Sequence, residues 1–210
     1  IYHALSQGDE DDAYRVQLVW DYETSLDKEC LRQAWMYALK RYGSLRMRFG
    51  WSEELVQIID KEGELDWRFI DLSCEKDVSG ESIRKIQEED RREVYNLSFG
   101  QLFRVYVIKQ RENLYSCILS NHHAILDGWS RPILLNFVHK TYRDLLQDSH
   151  IELRIDESYD KTQKYIQSHE GEVYGYWKDK IGQIKERVNL NGLVKDPFVK
   201  IERYKHIQEV

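Results

Sequence analysis

Residues 14–22 set the first pattern. Tyr14, Val16, Leu18, Trp20 and Tyr22 share one parity, with Arg15, Gln17 and Asp21 among the residues between them. Alternation of this kind predicts a strand with one buried face. Thr24-Ser25-Leu26-Asp27 resembles a capping box that begins at Thr24. Leu31, Ala34, Trp35, Ala38, Leu39 and Tyr42 then recur at helical spacing, and Gly43 supplies a stop. Leu45, Met47 and Phe49 alternate with Arg46 and Arg48, which predicts a second strand. Leu55–Ile59 and Trp67–Ile70 are shorter strand candidates. Residues 81–95 are rich in charge, with Ile83, Ile86 and Val94 on one side, and read as a surface helix.

Leu102–Ile108 and Leu114–Ser120 are β-rich runs joined by Lys109-Gln110-Arg111-Glu112-Asn113, which predicts an antiparallel hairpin. Ile133, Leu134, Phe137, Val138, Tyr142 and Leu145 give a further helix, and two more follow at about 158–169 and 171–184. From about 185 onward the periodicity is weak. Strands and helices are mixed without strict βαβ alternation. The expected fold class is therefore α+β, helices on a mixed or mostly antiparallel sheet.

The chain has 210 residues, enough for one domain or one large lobe with its own core. A hydrophobic share of 41% beside 32% charged residues reads as soluble and globular. The formal charge of -6 lacks the basic footprint of a nucleic-acid binder, so no nucleic-acid partner is expected. No apolar run approaches the ~18 residues of a membrane span, and no signal peptide is visible. Cys30, Cys74 and Cys117 are odd in number and far apart. That spacing fits a reducing cytoplasm and argues against a zinc site.

Candidate chemistry concentrates in Ser120-Asn121-His122-His123-Ala124-Ile125-Leu126-Asp127-Gly128-Trp129-Ser130. The stretch lies between a strand and a helix, where a rigid scaffold aims a short loop. Adjacent histidines on extended backbone point in opposite directions, so one can face a cleft while the other is structural. Gly128 suits a close-packed turn, Ser130 an N-cap, and Pro132 the first helical turn. Taken alone, the pair admits a satisfied structural role, a general base, or metal ligation with Asp127. The last lacks a complete ligand set.

The pattern His122-His123-x-x-x-Asp127-Gly128 resembles the signature of the condensation-domain superfamily, whose fold resembles chloramphenicol acetyltransferase. Three further stretches resemble condensation domains of nonribosomal peptide synthetases. They are Tyr2-His3-Ala4-Leu5, Leu45-Arg46-Met47-Arg48-Phe49, and Asp160 to Trp177 with its Tyr176-Trp177 pair. The likeness runs from Ile1 to about Trp177. Met47 stands where the family often has Thr or Ala. Retention of His122 and the placing of Trp129 before Ser130 favour a condensing over a cyclising or epimerising variant.

The resemblance implies amide formation between a donor acyl or peptidyl thioester and the α-amine of an acceptor aminoacyl thioester. Both would be carried on the 4'-phosphopantetheine of peptidyl carrier proteins, beside an adenylation domain in the cytoplasm. It implies His123 as the catalytic histidine and His122 as structural. It further implies an ion pair between Asp127 and Arg46, with Gly128 keeping the cleft open to the pantetheine arm. No directly bound cofactor or metal is expected. Residues 1–184 are expected to form the N-terminal lobe of such a domain, with 185–210 crossing toward a missing C-terminal lobe. On that expectation the chain alone is inactive. Two other classes stay open: an acyltransferase using coenzyme A on the same fold, and a non-catalytic lobe that docks carriers.

Overall fold

The computed structural model describes residues 14–75 and 80–184. The Tyr2-His3-Ala4-Leu5 stretch and the crossover expected over 185–210 lie outside the described residues. The chain divides into two compact units at Lys161/Thr162.

The first unit is built on a four-stranded sheet. Its strands are β1 (Arg15–Tyr22), β4 (Asp66–Asp71), β5 (Phe103–Arg111) and β6 (Leu114–His122), in the order β1-β6-β5-β4. The expected hairpin is β5–β6, antiparallel throughout. β1 adds antiparallel to β6, and β4 adds parallel to β5, so the sheet is mixed. A parallel neighbour needs a crossover, and α2 (Gly80–Arg92) lies on that connection. β2 (Met47–Gly50) and β3 (Val56–Ile59) form a separate two-stranded sheet.

Parity along the strands sorts the core. Leu18, Trp20, Phe103, Val105, Val107, Cys117 and Leu119 face α1 (Lys28–Arg41) and α3 (Ser130–Leu146). There they meet Leu31, Ala34, Trp35, Ala38 and Leu39 of α1 and Leu134, Val138 and Tyr142 of α3. The opposite face carries Tyr106, Ile108 and Ile118, covered by Ile83 and Ile86 of α2. The sheet is thus sandwiched between helices, the layered solution for a sheet with two apolar faces. Full burial of a large apolar side chain such as Leu31 contributes about 1.5–3 kcal/mol, so the α1–sheet layer anchors the unit.

Two helix starts differ from expectation. The Asp27 carboxylate, not Thr24, caps α1, accepting from the N–H groups of Glu29 and Cys30 at 3.0 and 2.9 Å. At α3 the side chain that takes the first-turn donors is Asp127 rather than Ser130. In both cases a carboxylate lies just upstream of the expected residue or replaces it, and charge favours it at a helix N-terminus. A 3-10 turn, Gly43–Arg46, takes the place of the first part of the strand expected over 45–49. α2 ends at Arg92, so Val94 lies beyond it and is exposed.

α4 (Ser158–Ser168) crosses the unit boundary, and α5 (Glu170–Gly182) follows it. In the second unit Tyr165 stacks on His169, with ring centroids 4.1 Å apart. Tyr165, Ile166, Val173, Trp177 and Ile181 are exposed there.

Candidate active site

β6 delivers the histidine pair. Its last residue, His122, pairs with Arg15 of β1 and donates its N–H to the Leu102 carbonyl at 2.8 Å. Next, the N–H of His123 donates to the Tyr14 carbonyl at 2.7 Å. The Asn121 side chain donates Nδ2–H to the His122 carbonyl at 3.0 Å, and Ile125 donates to the same oxygen at 3.3 Å. The peptide between the two histidines is therefore held at both its ends.

The two rings sit in opposite environments. His122 is stacked on Tyr14 at 5.8 Å between centroids and meets Tyr95 edge-on at 6.4 Å. Its Nδ1 accepts from the N–H of Ala124 at 3.1 Å. An accepting Nδ1 leaves the proton of the neutral ring on Nε2. Burial pushes its pKa down to about 4, and Arg15 and His123 push in the same direction. His122 is thus a neutral, fixed ring at neutral pH. His123 is exposed, so its imidazole is the one open to a reactant.

Asp127, Gly128 and Arg46 are placed differently from expectation. Asp127 is exposed and accepts from the N–H of Ser130 at 2.7 Å and its hydroxyl at 2.6 Å. Those bonds hold its carboxyl below the usual range. Arg46 donates Nε–H to the Asp60 carbonyl at 2.9 Å, and Nη1 to the carbonyls of Leu39 and Lys40. The expected Asp127–Arg46 ion pair is not formed. The 3-10 turn swings Arg46 under the C-terminal end of α1, where carbonyls lack helical partners and attract a cation. Gly128 has neither a positive φ nor a crowded neighbourhood: a Cβ there would meet nothing within 4 Å. It is an open position, not a packed turn. Trp129 beside it is 86% exposed.

A polar cluster beneath the motif escaped the sequence reading. Asp90 of α2 is 1% exposed. Its Oδ1 accepts from Arg104 and from the Tyr106 hydroxyl, both at 3.0 Å. Its Oδ2 accepts from Gln17 at 2.7 Å and Ser120 at 2.5 Å. Burial alone would raise the Asp90 pKa; bonds from Ser120, Gln17 and Arg104, with the charge of Arg15, outweigh it and hold the carboxyl low. Two signals were present in the sequence. Asp90 continues the Ile83, Ile86 spacing, and Arg104 interrupts an otherwise apolar strand.

Fold and motif together give the architecture expected from the sequence, helices on a mixed sheet with the His-His-x-x-x-Asp-Gly loop at the end of β6. A family model described as the condensation domain matches residues 1–205. This chain belongs to the condensation domain family. It is 42% identical over 99% of its length to N-(5-amino-5-carboxypentanoyl)-L-cysteinyl-D-valine synthase of Amycolatopsis lactamdurans, and covers 6% of that protein. The synthase of the same name from Penicillium rubens is 36% identical over the whole chain, again with 6% of the relative covered. The chain therefore spans a small fraction of the proteins it matches. Among solved structures, the starter condensation domain of rhizomide synthetase superposes with a TM-score of 0.69 at 17% identity. That match covers 85% of this chain and 46% of the other. The first condensation domain of the calcium-dependent antibiotic synthetase gives 0.63 at 22% identity, covering 71% and 36%.

Proposed function

We propose that this chain serves amide-bond formation between carrier-bound thioesters, with His123 as the histidine that meets the attacking amine. One observation carries the reading: of two adjacent histidines, His122 is locked neutral in the fold and His123 stands free at the end of a clamped strand. A solvent-exposed imidazole can accept or share the amine proton. A product named for joined pentanoyl, cysteinyl and valine units, as in the relatives at 42% and 36% identity, supports this chemistry.

The substrates are an acyl or peptidyl donor and an aminoacyl acceptor, each on the 4'-phosphopantetheine of a peptidyl carrier protein, supplied beside an adenylation domain in the cytoplasm. Asp127 and Gly128 shape the entry to α3 next to His123. The reaction uses more of the protein than these 210 residues. His123 and Trp129 face solvent here, and the matched solved domain is about twice as long. Positioning of two reactants is worth ~7–11 kcal/mol, which an open face does not supply.

The test is product formation by the intact synthetase with both carriers loaded. His123→Ala is expected to lower turnover by roughly 10²–10⁴-fold, the usual worth of a positioned acid–base group. Turnover within a few-fold of wild type rejects the assignment. Incubating the 210-residue chain alone with the same carriers, or with coenzyme A thioesters, is expected to give no product.

A further inference from the structure

We propose that Asp90 is a positioning residue for this reaction, fixing the His122-His123 end of β6 through a row of polar side chains that crosses the whole sheet; this rests on the reading of His123 above. The row is visible in the strand register. Gln17 of β1 lies opposite Ser120 of β6, Ser120 opposite Arg104 of β5, and Arg104 opposite Asp66 of β4. Asp90 bonds directly to three of these four residues, and Arg104 lies 3.3 Å from Asp66. One carboxylate on α2 thereby ties three adjacent strands at a single level, two residues before His122.

Tyr95 connects that row to the motif. Its hydroxyl donates to Ser120 Oγ at 3.0 Å, and the Ser120 hydroxyl donates on to Asp90. The guanidinium groups of Arg104 and Arg15 lie 4.2 and 4.8 Å from the centre of its ring. The same ring meets His122 edge-on. Asp90 thus sets Ser120, Ser120 sets the Tyr95 ring, and the ring sets one wall of the His122 pocket. No atom of the cluster reaches His123, so its role is placement, not chemistry.

The distribution of polarity along one interface argues for function. α2 packs on the sheet through Ile83 and Ile86 against Ile108 and Ile118, with no charge needed. Toward the His122 end the same helix meets the sheet through a buried carboxylate and two guanidinium groups. Buried ion clusters cost desolvation and often stabilise less than apolar packing of the same volume. What they provide is a single geometry, and acid–base groups need positions fixed to about 0.5 Å.

The experiment uses the intact synthetase with loaded carriers. Asp90→Asn, Tyr95→Phe, Ile86→Ala and His123→Ala are compared by melting temperature and by kcat and KM. Asp90→Asn and Tyr95→Phe are expected to lower kcat about 10–100-fold with KM unchanged, the scale of a small misplacement. Ile86→Ala, at the apolar end of the same interface, is expected to lower the melting temperature and leave kcat alone. If Asp90→Asn does not fold, Tyr95→Phe decides, because it removes one hydroxyl and keeps the ring. Wild-type kcat in folded Tyr95→Phe, or an equal kcat loss in Ile86→Ala, overturns the positioning role. Wild-type turnover in His123→Ala overturns instead the reading on which it rests.

Discussion

Arg46 and Asp127 each hold a helix end, and they do so separately. Arg46 satisfies carbonyls at the C-terminal end of α1, and Asp127 takes donors at the start of α3. Alanine at Asp127 is expected to cost ~0.5–2 kcal/mol, and asparagine less, because an amide oxygen still caps. Combined with Arg46→Ala the losses are expected to add within ~0.3–0.5 kcal/mol, as for independent sites. Urea unfolding of the two single variants and the double checks this. A coupling well above that range would restore the ion pair inferred from the family likeness. At this scale the sequence is a partial guide. Parity alone separates His122 from His123, because adjacent side chains on a strand must diverge. Parity fails for Arg46, because a 3-10 turn rather than a strand carries it. Asp90 was hidden by its neighbours, since Glu88, Glu89, Arg91 and Arg92 make the stretch look wholly solvated.

The helices and strands were legible wherever a long periodic run met a sheet face. β1, α1, the β5–β6 hairpin and α3 all follow from apolar spacing. Their caps did not, since Thr24, Asp27, Asp127 and Ser130 are all acceptable capping residues and only geometry selects among them. Nor did the parallel pairing of β4 with β5, because a short apolar run carries no record of its partner. Apolar spacing also overstates burial. Ile133 and Leu134 both fit the α3 pattern, yet Leu134 is buried and Ile133 is 60% exposed. Leu134→Ala is expected to cost ~2–5 kcal/mol. Ile133→Ala is expected to stay within about 0.5 kcal/mol of wild type. Chemical denaturation of both variants measures the contrast, and equal losses would contradict the burial assigned to α3.

For the molecule as a whole, two half-buried histidines set a response to acid. His122 has its pKa depressed from 6.5 to about 4 by burial, and burial lowers that of His139 as well. Between those values the unfolded chain binds a proton at residue 122 that the folded chain does not. Stability is therefore full above about pH 6.5 and falls as the pH drops toward 4. Asp90, Glu93, Asp127 and Asp156 have pKa values lowered from 3.8 for the aspartates and 4.5 for Glu93, so their contributions are present above those values and are lost as the pH falls through them. Melting at steps from pH 7 to pH 4.5 is expected to show the decline, with a shallower slope in His122→Asn; parallel slopes would reject this account. The sheet order has a consequence in time. β1 is made before its partner β6, which emerges about a hundred residues later. At ~5–20 residues per second the ribosome needs about 5–20 s to span that gap. Through that interval β1 has no strand to pair with, and Arg15 and Gln17 wait for α2. Codon speed between residues 22 and 114 thus sets how long β1 waits for β6, the strand whose last residue is the first histidine of the motif.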